Sequence, residues 1–209
     1  MSIDGKKVIE ILKEISIKID ENKGYLSELD AAIGDGDHGI NMSKGFNAVI
    51  EKLKDDEGLD IAGILKKTGM ALVSNVGGAS GPLYGTAFMK AAVSINGKTE
   101  IDIKDFSNML KDALEGIKMR GKSQYGEKTM IDALEPALEA INLGIIHENE
   151  DKEILKLAKE AAYKGVEYTK GIIATKGRAS YLGERSIGHQ DAGATSSAII
   201  LETIYEVLK

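Results

Sequence analysis

The stretch Asp4-Gly5-Lys6-Lys7-Val8-Ile9-Glu10-Ile11-Leu12-Lys13-Glu14-Ile15-Ser16-Ile17-Lys18-Ile19-Asp20-Glu21-Asn22-Lys23 sets the pattern of the whole chain. Val8, Ile11, Leu12, Ile15 and Ile19 return every three or four residues with Lys and Glu between them, which is the period of an amphipathic helix. The same period recurs downstream. Leu26, Leu29 and Ile33 predict a short second helix. Met42, Phe46, Val49, Ile50 and Leu53 mark one face of a helix over about 41–53. Ile61, Ile64, Leu65, Met70, Leu72 and Val73 mark another over about 60–76. Pro82 suits the first turn of a fifth helix carrying Tyr84, Phe88 and Ala91. Phe106, Met109, Leu110, Leu114 and Ile117 belong to a sixth, and 129–146 to a seventh that would kink at Pro136. Helices over 154–173 and 195–208 complete the set. Period-two alternation is scarce, and Ser94-Ile95-Asn96-Gly97-Lys98 reads as a turn between helices. The expected fold is all-α: one domain, residues 1–209, of about eight or nine helices with antiparallel neighbours.

The composition narrows the function. The 209 residues carry a net charge of −6, which argues against neutralising nucleic-acid phosphates or docking on an anionic membrane. There are no cysteines, which removes disulfides, zinc–thiolate sites and thiol catalysis. Met1-Ser2-Ile3-Asp4-Gly5-Lys6-Lys7 lacks the apolar core of a signal peptide and no long uncharged apolar run follows, so the expected location is the cytoplasm. Only 2 prolines interrupt the helices, whereas 24 glycines are more than usual. Those glycines gather in four places: Gly34-Asp35-Gly36-Asp37-His38-Gly39, Gly77-Gly78-Ala79-Ser80-Gly81, Gly121-Lys122-Ser123-Gln124-Tyr125-Gly126, and a long stretch over 177–193. An up-and-down bundle puts alternate loops at one end, where the four would form a rim.

The first of these loops is acidic. Asp30, Asp35 and Asp37 fall within eight residues, and three crowded carboxylates either raise a pKa or recruit a cation. Hard divalent ions such as Mg²⁺ take oxygen ligands and keep waters or substrate phosphates as the rest. The same residues also fit a solvated acidic turn. Three motif matches fail on context. Gly34-x-Gly36-x-x-Gly39 has no strand before it and carries two carboxylates that would repel a bare pyrophosphate. Gly116-x-x-x-x-Gly121-Lys122-Ser123 follows a helix where a P-loop follows a strand. Counted from Asp35 as an EF-hand, Ile40 and Phe46 stand where Gly and Glu are needed. Two Mg²⁺ ions with three carboxylates sum to about +1, so metal would let an acidic loop attract a diphosphate.

The other loops could complete such a site. Gly77-Gly78-Ala79-Ser80-Gly81 offers amide donors and a hydroxyl ahead of a helix, or is simply a tight turn. Arg178 suits bidentate phosphate contact, and it sits among Arg185, His189 and Asp191 in what could equally be a mobile loop. His38 could bind phosphate, ligate metal or cap a turn, while His147 sits in a polar, solvated stretch.

These residues resemble the nucleotide-binding (L) subunits of dihydroxyacetone kinases. The likeness rests on Asp30-Ala31-Ala32-Ile33-Gly34-Asp35-Gly36-Asp37-His38-Gly39, on Gly77-Gly78-Ala79-Ser80-Gly81-Pro82-Leu83-Tyr84-Gly85-Thr86, on Lys128-Thr129-Met130-Ile131-Asp132 and on the run from Gly177 to Asp191. The resemblance implies a closed bundle of eight antiparallel helices with ADP and two Mg²⁺ ions at one end. It implies Asp30, Asp35 and Asp37 as metal ligands and His38, Gly39, Ile40 and Asn41 at the phosphates. Ala79 and Ser80 would meet the nucleotide from the second loop, Gly121 and Met130 would line the adenine side, and Arg178, Asp191, Ala192 and Gly193 would close the site. A free-standing chain of this size resembles the phosphotransferase-system type. There a phosphohistidine carrier (M) subunit phosphorylates bound ADP to ATP, and the γ-phosphoryl passes to dihydroxyacetone on a K subunit. Glu127 and Ala192 depart from the family pattern, where Asp and Pro are usual.

Such a chain would supply positioning and metal charge rather than a nucleophile, and its own motifs contain no evident nucleophile–base pair. Two other readings stay open. In one, an ATP-dependent kinase subunit exchanges its nucleotide with solvent, in which case purified protein would be empty. In the other, a nucleotide-sensing subunit binds a transcriptional regulator or kinase partner without transferring phosphate.

Overall fold

In the computed structural model, which describes residues 2–209, nine α-helices form almost the whole fold. They are α1 (Gly5–Glu21), α2 (Lys23–Ile33), α3 (His38–Leu53), α4 (Ile61–Asn75), α5 (Ser80–Ser94), α6 (Ile103–Gly121), α7 (Ile131–Ile146), α8 (Asp151–Thr169) and α9 (Ala192–Leu208). Aspartates start several of them. The Asp4 carboxylate accepts from Lys7 N at 2.8 Å, Asp60 from Gly63 N at 2.9 Å and Asp191 from Ala194 N at 2.7 Å, each satisfying an orphan amide of a first turn. Asp102 and Asp105 form a reciprocal capping box at α6.

Eight helices close a ring. Neighbours pack in the order α1, α3, α4, α5, α6, α7, α8, α9 and back to α1, while α2 lies against α3, α9 and a 3-10 helix (Arg178–Ser186). Adjacent helices run antiparallel. Ser16 bonds Asn47 while Ser43 bonds Asp20 between α1 and α3, and Ser107 bonds Asn142 while Lys118 pairs with Glu135 between α6 and α7. Leu12, Ile15, Ile19, Phe46, Ile64 and Leu72 lose nearly all exposure inside the ring, and Leu12 and Ile15 also line a small apolar cavity of about 150 Å³. Burial of such side chains contributes about 1.5–3 kcal/mol each and is the main force closing the ring.

Two features differ from the periodicity reading. Helix ends shift by a few residues, with α3 starting at His38 and α9 at Ala192. The segment after the 94–98 turn pairs as a two-residue strand, Glu100–Ile101, antiparallel to Ile3–Asp4, a ribbon too short to leave a period-two signal. Pro136 sits inside α7 without ending it. Its missing N–H leaves the Asp132 carbonyl without that helix donor, and Gly165 of α8 packs so close that a Cβ there would lie 1.9 Å from the same carbonyl oxygen. Glycine therefore also serves helix crossings, not only loops.

Candidate functional site

The loops joining α2–α3, α4–α5, α6–α7 and α8–α9 lie at the same end of the ring. Contacts between them are direct: a Cβ on Gly77 would meet the Asn41 side chain, one on Gly193 would meet Met130, and Thr175 bonds Glu127.

The acidic loop is built by the end of α2. Asp30 is half-buried in the last turn, and one of its carboxylate oxygens accepts from Asp37 N at 3.0 Å and His38 N at 3.3 Å. It thereby caps α3 from outside the helix. Gly34 allows this fold-back, since a Cβ there would lie 2.3 Å from an Asp30 carboxylate oxygen, and Gly36 turns the chain at φ 77°. Asp35 and Asp37 are exposed, and one oxygen from each of Asp30, Asp35 and Asp37 comes within 4.8 Å of the others. Three converging hard oxygens open to solvent form a donor set that fits Mg²⁺ with room for water or phosphate. Arg178 reaches the same loop, its guanidinium 2.9 Å from the Asp35 carboxylate. Both partners are exposed, so the pair adds little stability, yet it fixes the long segment beside the acidic loop.

That segment is shaped rather than slack. The 3-10 helix packs Ala179 and Leu182 on Ile33 and Ala174, a small second core beneath Arg178. Arg185, His189 and Tyr181 stay exposed. Ile40, in the first turn of α3, is also exposed, whereas Gly39 is buried against α2. Ala79 is exposed, Gly78 adopts φ 64° with no atom within 4 Å of a would-be Cβ, and Ser80 opens α5. A Cβ on Gly121 would lie 3.0 Å from Ser123 Oγ and 3.3 Å from a Leu83 methyl, so this glycine sits against its own loop and α5.

His38 does not join the carboxylates. Its ring is 7% exposed and lies between two hydroxyls, Nδ1 3.1 Å from Ser80 Oγ and Nε2 2.8 Å from Ser196 Oγ. Burial lowers its pKa in spite of Asp30 and Asp37 nearby. The sequence disclosed no histidine–serine pair, because Ser80 and Ser196 are 42 and 158 residues away. The pair is not built as a nucleophile and base, since no carboxylate holds the second ring nitrogen to stabilise an imidazolium.

A second acidic group lies deeper. Asp132, wholly buried, accepts from Gly126 N at 2.6 Å and Thr129 N at 2.7 Å. Lys128, 1% exposed at φ 61°, donates to the Thr169 and Ile172 carbonyls at 2.5 and 3.3 Å. Asp191 caps α9, and its own N–H bonds Thr169 Oγ1 at 3.1 Å. Burial raises Asp132, lowers Lys128 and pushes Asp191 up to about 7, the last shift moderated by the Ala194 amide and the Lys128 charge. This cluster ties the α6–α7 loop to both ends of the 170–191 segment. Lys128, Asp132, Thr169 and Ser196 were not singled out by spacing, and Tyr84 was read only as part of an apolar helix face. The hydroxyl run Thr195-Ser196-Ser197 inside an apolar helix was the available signal for Ser196.

Comparison with known proteins identifies the family. The DAK2 domain family matches residues 32–206. The chain is 46% identical over 200 residues to the ADP-binding subunit DhaL of the PTS-dependent dihydroxyacetone kinase of Lactococcus lactis, covering 96% of each. It is 44% identical over 206 residues to the DhaL subunit of PEP-dependent dihydroxyacetone kinase 1 of Listeria innocua, covering 99% of this chain and 98% of that one. The Escherichia coli DhaL subunit is 40% identical over 204 residues, with 98% and 97% covered. The dihydroxyacetone kinase of C. freundii superimposes with a TM-score of 0.72 at 25% identity over 95% of this chain, which spans 34% of that larger protein. The chain belongs to the DAK2 domain family, and its DhaL relatives match it over nearly their full length.

Proposed function

We propose that this chain is the ADP/ATP-carrying subunit of a PEP-dependent dihydroxyacetone kinase. Bound ADP would accept a phosphoryl group from a phosphohistidine carrier (M) subunit, and the γ-phosphoryl would pass to dihydroxyacetone on a K subunit. The observation that carries this is the acidic trio converging at the loop end of a chain that matches DhaL subunits over nearly its full length. One domain over residues 1–209 acting in the cytoplasm is part of the same reading.

Asp30, Asp35 and Asp37 would hold Mg²⁺, with two ions as the stoichiometry that lets the loop accept a diphosphate. Magnesium held there would supply charge neutralisation for the phosphates. The remaining roles fall to this chain's residues. The backbone of His38, Gly39, Ile40 and Asn41, with Ala79 and the Ser80 hydroxyl, would meet the phosphates where the first turns of α3 and α5 present amides. Gly121, Met130 and Gly193 would border the base, Asp191 and Ala192 would anchor that wall, and Arg178 would exchange Asp35 for phosphate. Donor and acceptor groups belong to other proteins, so the loop end must stay open to them.

The test is direct. Nucleotide and metal released from the purified chain are identified by mass analysis, and dihydroxyacetone phosphate is assayed with K and M subunits present. Retained ADP with Mg²⁺ and product formation are expected. Bound ADP without product would leave only a sensing role, and an empty, freely exchanging site would favour the ATP-dependent reading.

A further inference from the structure

The His38 ring is the middle of a buried chain of hydrogen bonds running from the loop end into the bundle. Beyond the contacts to Ser80 and Ser196, Tyr84 Oη lies 2.8 Å from Ser196 Oγ and 2.8 Å from Ser197 Oγ. Each hydroxyl owns one proton, and a neutral imidazole has one N–H and one lone pair. Two arrangements satisfy that count. In one, Nε2–H donates to Ser196, Ser80 spends its proton on Nδ1, and only Ser80 lone pairs face the site. In the other, Ser196 donates to Nε2, Nδ1–H donates to Ser80, and the Ser80 O–H points outward.

Tyr84 tips the choice. Ser196 could give its proton to the Ala192 or Gly193 carbonyl, each 3.1 Å away, instead of to His38. A proton from Tyr84, at the shorter 2.8 Å, fills the Ser196 lone pair and aligns its own O–H with Nε2. The Gly193 carbonyl, 3.1 Å from Tyr84 Oη, still accepts from Ser197 at 2.9 Å. A phosphate oxygen outside Ser80 favours the same direction, since it needs a donor and is repelled by lone pairs.

We propose that Tyr84 and Ser196 are positioning residues that act through the His38 ring to hold the Ser80 hydroxyl as a donor toward the nucleotide phosphates. This rests on the reading that Ser80 faces those phosphates.

The experiment uses full-length protein labelled with ¹⁵N-histidine. The chain has 3 histidines, and His38→Gln assigns the ring of interest. With ADP and Mg²⁺ bound, His38 carries its proton on Nδ1. Tyr84→Phe moves that proton toward Nε2 and weakens ADP binding about 3–10-fold, the worth of one hydrogen bond. Ser196→Ala removes the partner of Nε2 altogether, so the ring loses its fixed tautomer and ADP binding weakens, and it stands in should Tyr84→Phe misfold. Thr203→Val removes another buried α9 hydroxyl, bonded only to Ile199 O, and lowers stability without moving the tautomer. A wild-type complex with Nε2–H or a doubly protonated ring overturns the proposal, as does an unchanged tautomer in both variants. Wild-type protein that binds no ADP with Mg²⁺ sinks the functional reading together with the relay. Normal binding with the wrong tautomer removes the relay alone.

Discussion

Two groups of aspartates lie at the same end of the ring and behave oppositely. Asp35 and Asp37, with half-buried Asp30, point into solvent with few internal donors. Asp132 and Asp191 are turned inward and accept from backbone amides, with the Lys128 charge nearby. The residue type is shared; what differs is where each carboxylate finds its compensation. A buried carboxylate must be satisfied by the chain itself, so it stiffens the loops around it. An exposed cluster keeps its ligand capacity for a cation from outside. The inner group builds the wall, and the outer group is free to work.

The largest effect should come from breaking the inner group. Lys128→Met leaves the Thr169 and Ile172 carbonyls without their donor and removes the positive charge near Asp132 and Asp191, and should cost about 3–5 kcal/mol of folding stability, read by denaturant unfolding. A loss under about 1 kcal/mol would show that backbone amides alone suffice. Next comes the outer group. Asp37→Asn should weaken Mg²⁺-dependent ADP binding by about 100-fold while leaving metal-free thermal stability unchanged or higher, because a repelling charge is gone. Equal losses in stability and affinity would erase the distinction between the groups.

A smaller effect is pH-dependent. The folded-state pKa of Asp191, about 7, lies above its ordinary 3.8, so the native state binds the extra proton. Its contribution to stability is complete below about 4 and disappears as pH rises to about 7. Asp30, Asp132 and Lys128 are the charges facing it. Asp191→Asn keeps a capping side chain and removes the titration. The melting temperature of wild type minus that of the variant should therefore fall from pH 4 to pH 7, and a flat difference would contradict the buried setting. The smallest effect tests the false P-loop. Lys122 is an exposed left-handed C-cap at φ 48°, and Lys122→Ala should change ADP affinity less than twofold by equilibrium binding. A loss comparable to that of Asp37→Asn would bring the loop back into the site.

Much of this was legible in the chain. Apolar spacing located every wall helix, since burying one stripe of each is what closes the ring. The acidic loop was visible because Asp30, Asp35 and Asp37 are close in sequence and the glycines between them let them converge. Arg178 against Asp35 joins residues 143 positions apart, and no local pattern could pair them. Strand pairing at Ile3 and Ile101 was hidden for the same reason.

Local order, in short, was written in the sequence: where helices run, where they stop, and which loop concentrates negative charge. Periodicity and turn chemistry act over a few residues, so neighbours in the chain suffice to express them. Ring closure decided the rest. It turned His38 away from the adjacent carboxylates toward Ser80 and Ser196, and it buried Lys128 against the Thr169 and Ile172 carbonyls. Hydrogen bonds and desolvation depend on which atoms meet, and only packing brings those atoms together.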